Sequence, residues 1–101
     1  MIEHLVSFRA RPGAEEALWS DLSDFAASIR GALPGLIELT VGKNFADRSR
    51  NEGFTHGLRA RFETHEALQA YIAHPAHQKL ISNFPDTNLG GVVVDYEVPS
   101  S

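Results

Sequence analysis

From position 54 to position 62 the chain alternates without a break. Phe54, His56, Leu58, Ala60 and Phe62 fall on one side, and Thr55, Gly57, Arg59 and Arg61 fall on the other. Side chains of a strand point alternately to opposite faces, so this stretch is a strand with one apolar and one polar face. A half-buried strand needs a sheet around it and helices over one side of that sheet. The same period recurs near the start, where Ile2, His4, Val6 and Phe8 alternate with Glu3, Leu5, Ser7 and Arg9. It recurs again where Ile37, Leu39 and Val41 alternate with Glu38 and Thr40, and a last strand is expected over 92–98.

The intervening segments read as helices. Arg11-Pro12-Gly13 ends the first strand, and Glu15 and Glu16 then suit the first turn of a helix, where the dipole favours acids. Leu18, Leu22, Phe25 and Ile29 make its apolar stripe, and Gly31 with Leu33-Pro34-Gly35 closes it. Lys43 to Gly53 is polar and reads as a solvated loop. Thr64 suits an N-cap for a short helix carrying Ala67, Leu68, Tyr71 and Ile72. Pro75 cannot continue that helix but suits the first turn of a new one, on which His77, Leu80, Ile81 and Phe84 share a stripe. Pro85 to Gly91 reads as a loop, and a short disordered tail follows Val98.

The order strand, helix, strand, strand, helix, strand predicts an α+β fold, the ferredoxin-like βαββαβ arrangement with a four-stranded antiparallel sheet. Its helices cover one face. The other face is expected to carry Glu3, Ser7, Arg9, Glu38, Thr40, Arg59 and Arg61, mixed with Leu5 and Leu36. Such a face is either wet or covered by a second copy of the chain. With 101 residues a single domain over 1–101 is expected, and a domain of that size gains from dimerisation.

Composition narrows the function. The net charge of −4 and the lack of a basic cluster argue against nucleic acid or an anionic membrane as partner. The sequence has no cysteine, which excludes disulfides, thiolate zinc sites and cysteine-ligated iron–sulfur clusters. No apolar run approaches the ~20 residues of a membrane helix. The start, Met1-Ile2-Glu3-His4, lacks the pattern of a signal peptide, so a cytoplasmic protein is expected.

The chemistry-bearing residues converge on the helix-covered side. His4 and His56 lie on the apolar faces of their strands, and Tyr71 and His77 lie on the buried stripes of the two helical segments. Taken singly, each has a plainer reading as a core residue whose polar atoms find backbone partners. Trp19 reads as packing, His74 as a turn or capping residue, and His65 as solvent-facing. Together the four form a candidate pocket in which burial favours neutral imidazole. Proton abstraction beside a carbonyl needs such a base and a donor for the enolate oxygen, roles that suit His77 and Tyr71. Asp95 is a candidate to orient one histidine, although alternation with Val92, Val94 and Val98 assigns it to the far face.

These motifs bear a likeness to a known family. His4-Leu5-Val6, Glu52-Gly53-Phe54-Thr55-His56, Tyr71-Ile72-Ala73-His74-Pro75-Ala76-His77 and Val92-Val93-Val94-Asp95-Tyr96 resemble the stress-responsive dimeric α+β barrel domain over nearly the whole chain. The resemblance implies a homodimer in which two sheets close into one barrel. A plant branch of that family comprises polyketide cyclases of the olivetolic-acid type, which form an aromatic acid by aldol condensation without metal or organic cofactor. By that resemblance Tyr71 and His77 match the catalytic pair, and His4 and His56 match the histidines lining the pocket. A further pocket tyrosine of the cyclases falls at Ala26, and an adjacent phenylalanine pair becomes Leu22-Ser23. The linear tetraketide thioester that those cyclases close is therefore not carried over as substrate.

Three classes of function follow. The first is a cofactor-free cyclase, isomerase or lyase acting on a small apolar carbonyl compound, with an open cavity. The second is a non-catalytic dimer for stress response or ligand binding, with its histidines sealed against the backbone and no cavity. The third is metal binding by His4, His56 and His77, ranked last because no paired helical histidine signature accompanies it. No motif of a haem-degrading monooxygenase is present.

Overall fold

A computed structural model describes residues 1–99; residues 100 and 101, the end of the expected tail, lie outside the described residues. The elements are β1 (Ile2–Ala10), α1 (Glu15–Ile29), β2 (Leu36–Lys43), β3 (His56–Phe62), α2 (His65–Ala73), α3 (Pro75–Thr87) and β4 (Asn88–Glu97). The sheet order is β2-β3-β1-β4 with every pairing antiparallel. This is the ferredoxin-like arrangement the periodicity predicts, with the second helix broken in two.

The alternation of β1 and β3 places Ile2, Phe8, Leu58, Ala60 and Phe62 under the helices, where all are buried. The stripe of α1 meets them, with Leu18, Leu22 and Ile29 fully enclosed. Gly35 makes the turn into β2 at φ +86, and a Cβ there would stand 2.7 Å from the Cβ of Ala67. A side chain is thus excluded by backbone conformation and by the approach of α2.

The opposite face is uncovered. Glu3 is nevertheless buried on it, accepting hydrogen bonds from Arg61 Nε at 2.6 Å and Arg59 Nη2 at 3.1 Å. Burial pushes the Glu3 carboxyl up, but hydrogen bonds from Arg61 and Arg59 and their charges outweigh it, so its pKa lies below the ordinary value.

Two boundary expectations are corrected. Pro85 lies inside α3, which runs to Thr87, and β4 starts at Asn88 rather than after a loop ending at Gly91. The proline sits in the last turn, and Arg11 ties that end down: its backbone N–H donates to Thr87 O at 2.8 Å and its Nε to Pro85 O at 2.8 Å. In β2 the register shifts between Leu36 and Glu38, so Ile37 is looped out and 45% exposed. Leu36 therefore pairs with Phe62 and packs on the core instead of lying on the open face.

Candidate functional site

The turn between α2 and α3 sets the site. Thr64 caps α2, its hydroxyl accepting from Ala67 N at 3.1 Å. At the other end His74 leaves helical geometry (φ −64, ψ 140), and its Nδ1 accepts from Ala76 N at 3.0 Å, so it caps α3. Pro75 opens α3 with its fixed φ and no N–H to satisfy. The break lets Tyr71 and His77 face the same interior, their ring centroids 5.0 Å apart and both edge-on to Phe25.

His4 rises from the sheet toward them, with its ring 5.5 Å from that of Tyr71. Its Nδ1 bonds Asp95 Oδ1 at 2.5 Å. Strand pairing sets this contact, because His4 stands directly opposite Asp95 in the β1–β4 register. The far-face assignment of Asp95 is thereby corrected. Val93 and Asp95 point toward the helices, and Val92, Val94 and Tyr96 share the open face. The valine run misled because apolar side chains occupy both faces of this exposed edge strand.

His4, Tyr71, His77 and Asp95 line one cavity of about 270 Å³. Its remaining wall is apolar and includes Val6, Leu58, Ile81 and Val93. His77 Nδ1 is buried and has no hydrogen-bond partner among the described residues. Burial, followed by repulsion from His4, pushes the His77 imidazole below its ordinary pKa, and the Ile72 carbonyl acts the other way. Burial, followed by the charge of Asp95, pushes the Tyr71 hydroxyl far up, so it stays protonated and able to donate.

His56 does not join this group. It shares the face of His4 but pairs with Phe8, whereas His4 pairs with Ala60, so it sits four residues farther along the sheet. There the Trp19 indole stacks on it at 6.2 Å, and its Nδ1 meets Thr55 Oγ1 at 2.7 Å. Burial, then Lys43, pushes its pKa down, while Glu16 and Glu15 oppose. It borders a different hollow, over Lys43 and Gly57. The expected convergence of His4, His56 and His77 is thus not formed, and no group of three or more metal-ligating side chains occurs among the described residues. His65 is exposed and near Glu97, and Trp19 packs, as the sequence suggests. Ile81 was foreseeable from the α3 stripe. Val93 carried no signal, because its facing depends on the parity of β4.

No helix is long and apolar enough to cross a membrane among the described residues. Comparison with known proteins places this geometry in context. A stress-response A/B barrel domain-containing protein, HS1 of Arabidopsis thaliana, is 36% identical over 99 residues, covering 98% of this chain and 91% of its own. Olivetolic acid cyclase of Cannabis sativa is 28% identical over 76 residues, 75% of each chain. Among solved structures, a dimeric ferredoxin-like protein from Jannaschia sp. superposes with a TM-score of 0.85 at 27% identity, covering 96% of this chain and 98% of that one. Residues 2–98 match the family described as the Stress responsive A/B Barrel Domain, and the chain belongs to that family.

Proposed function

We propose that the chain is a homodimeric acid–base catalyst, a cyclase, isomerase or lyase that acts on a small carbonyl compound and needs no metal or organic cofactor. The observation that carries this reading is the meeting of Tyr71, His77 and the His4–Asp95 pair in one largely apolar cavity. His77, kept neutral by burial, takes the proton next to the carbonyl as that C–H bond breaks. The Tyr71 hydroxyl donates to the oxygen on which the enolate charge gathers. Asp95 accepts from His4 Nδ1–H, which fixes the His4 ring in the cavity wall beside Tyr71. The kinship with olivetolic acid cyclase supports this class of chemistry.

A non-catalytic dimer expects sealed histidines and no cavity; the cavity and the unpartnered His77 Nδ1 weigh against it. Self-association is supported by the exposed apolar edge strand, where Val92, Val94 and Tyr96 are each about half exposed beside the uncovered sheet face. The dimeric relative from Jannaschia supports it as well.

Deuterium exchange at the α-carbon of simple ketones, followed by proton NMR, tests the catalytic reading. Exchange above buffer background is expected for the parent protein, and background exchange for His77→Ala with its thermal transition retained. A His77→Ala protein that exchanges at the parental rate rejects the assignment.

A further inference from the structure

An apolar ring stands free at one corner of the sheet. Phe45, two residues beyond the end of β2, is 98% exposed. The chain on both sides of it is pinned: Asn44 N donates to Thr55 O at 2.8 Å, Asn44 Nδ2 to Phe54 O at 2.8 Å, and Ala46 N to Asn44 Oδ1 at 2.9 Å. A lone exposed apolar side chain is ordinary in itself. What singles Phe45 out is its height on the sheet. Lys43, His56, Phe8 and Gly91 form one row across the four strands. Phe45 follows Lys43 by two residues and Leu89 precedes Gly91 by two, while β2 and β4 run in opposite directions. Phe45 and Leu89 therefore leave the sheet at the same end, at opposite edges.

The edge at Leu89 is open. The β1–β4 register steps from Arg9–Gly90 to Ala10–Asn88, so Leu89 has no partner on β1 and is 56% exposed. Beside it a largely apolar hollow of about 480 Å³ opens off the cavity, sharing Phe8, Ile81 and Phe84 with it. Phe45 of the same copy is three strand spacings away, roughly 14 Å, and cannot reach it. A two-fold axis along the strands exchanges the edges and keeps the heights. It sets β2 of one copy antiparallel to β4 of the other, which covers both open edges, and carries Phe45 to the other copy's Leu89. Val92, Val94 and Tyr96, each about half exposed, continue the same contact along β4.

We propose that Phe45 of one copy seats in the hollow beside Leu89 of the other, so that each cavity is closed by a side chain from its partner and is incomplete in a single copy. The inference rests on the homodimeric reading and adds to it the residue that one copy supplies to the other's site.

Cysteine cross-linking and sedimentation equilibrium test the proposal, since the chain has no cysteine of its own. The double variant Phe45→Cys/Leu89→Cys is expected to form a disulfide-linked dimer under mild oxidation, because within one copy the two positions lie beyond the ~7 Å Cα separation that a disulfide spans. Phe45→Cys and Leu89→Cys alone are expected to stay unlinked. Both side chains are exposed, so the core of each copy is untouched. Phe45→Ser is expected to raise the dimer Kd about 100- to 10,000-fold, since each dimer loses two buried rings. A parent protein that sediments as a monomer overturns the homodimeric reading and this one together. A parental dimer whose double variant does not link, with Phe45→Ser dimerising as tightly, overturns the Phe45 assignment alone. Linking of Phe45→Cys by itself also overturns it, by placing the two loops side by side. A Phe45→Ser protein that keeps the parental Kd but loses the parent's binding to phosphatidylcholine vesicles overturns it by giving the ring to a lipid surface.

Discussion

Tyr71 is a core residue and the proposed donor at once, and two substitutions separate those roles. Its ring is 1% exposed and lies 5.0 Å from Phe62, 5.7 Å from Phe25, 5.5 Å from His4 and 5.0 Å from His77. Tyr71→Phe keeps every one of those ring contacts and removes only the hydroxyl that faces the cavity. Stability is expected to change by about 1 kcal/mol or less. Exchange of ketone α-protons is expected to fall about 100- to 1,000-fold, the usual effect of deleting a donor to a developing oxyanion. Tyr71→Ala instead opens a large cavity in the core and is expected to lower stability by roughly 3–5 kcal/mol. A domain of this size has a total margin of about 5–15 kcal/mol, so that variant is expected to be partly unfolded on mild warming. Urea titration and NMR-detected exchange on the same samples give both quantities. Parental exchange in Tyr71→Phe refutes the donor role. A Tyr71→Phe protein as unstable as Tyr71→Ala refutes the division between ring and hydroxyl.

Other perturbations probe the surrounding supports. The Glu3 carboxyl has a folded pKa below its ordinary value of 4.5, so the stability it contributes is present above that pH and is lost as pH falls through the lower folded value. Urea midpoints from about pH 6 to about pH 2 are expected to fall over that window, and less steeply in Glu3→Gln. Asp95→Asn removes the carboxylate that accepts from His4; exchange is expected to drop at least about tenfold with little change in melting temperature, since the Asp95 side chain is 41% exposed. Val94→Asp puts a charge on the open apolar face, and sedimentation is expected to shift from dimer toward monomer.

The parts of the site that the sequence makes legible are those governed by strict periods. His4 follows from alternation with buried neighbours on both sides, and Tyr71 and His77 follow from helical stripes reset by Pro75. Alternation fixes the face of a strand residue but not its height along the sheet. For that reason His56 reads as a pocket residue and yet lies roughly 13 Å from the level of His4, counting four strand residues. The facing of Asp95, though not its candidacy to orient a histidine, is misread for a different reason. Its strand is an exposed edge with valines on both faces, so no contrast between apolar and polar positions marks which side is covered. Only its pairing opposite His4 reveals the contact, and pairing register is a long-range property. Leu36 is misplaced because one looped-out residue, Ile37, reverses the parity at the start of β2.

The state of His77 near neutral pH tests the central claim most directly. Its imidazole is held below the ordinary histidine pKa of 6.5 by burial and by His4. A neutral base of that kind predicts ketone exchange that is level above that value and falls on the acid side, in step with protonation of this one ring. An NMR titration of His77, recorded beside the pH profile of exchange, measures both. Coincident midpoints below 6.5 are the expected result. A His77 midpoint at or above that value, or an exchange profile that does not follow it, contradicts His77 as the catalytic base.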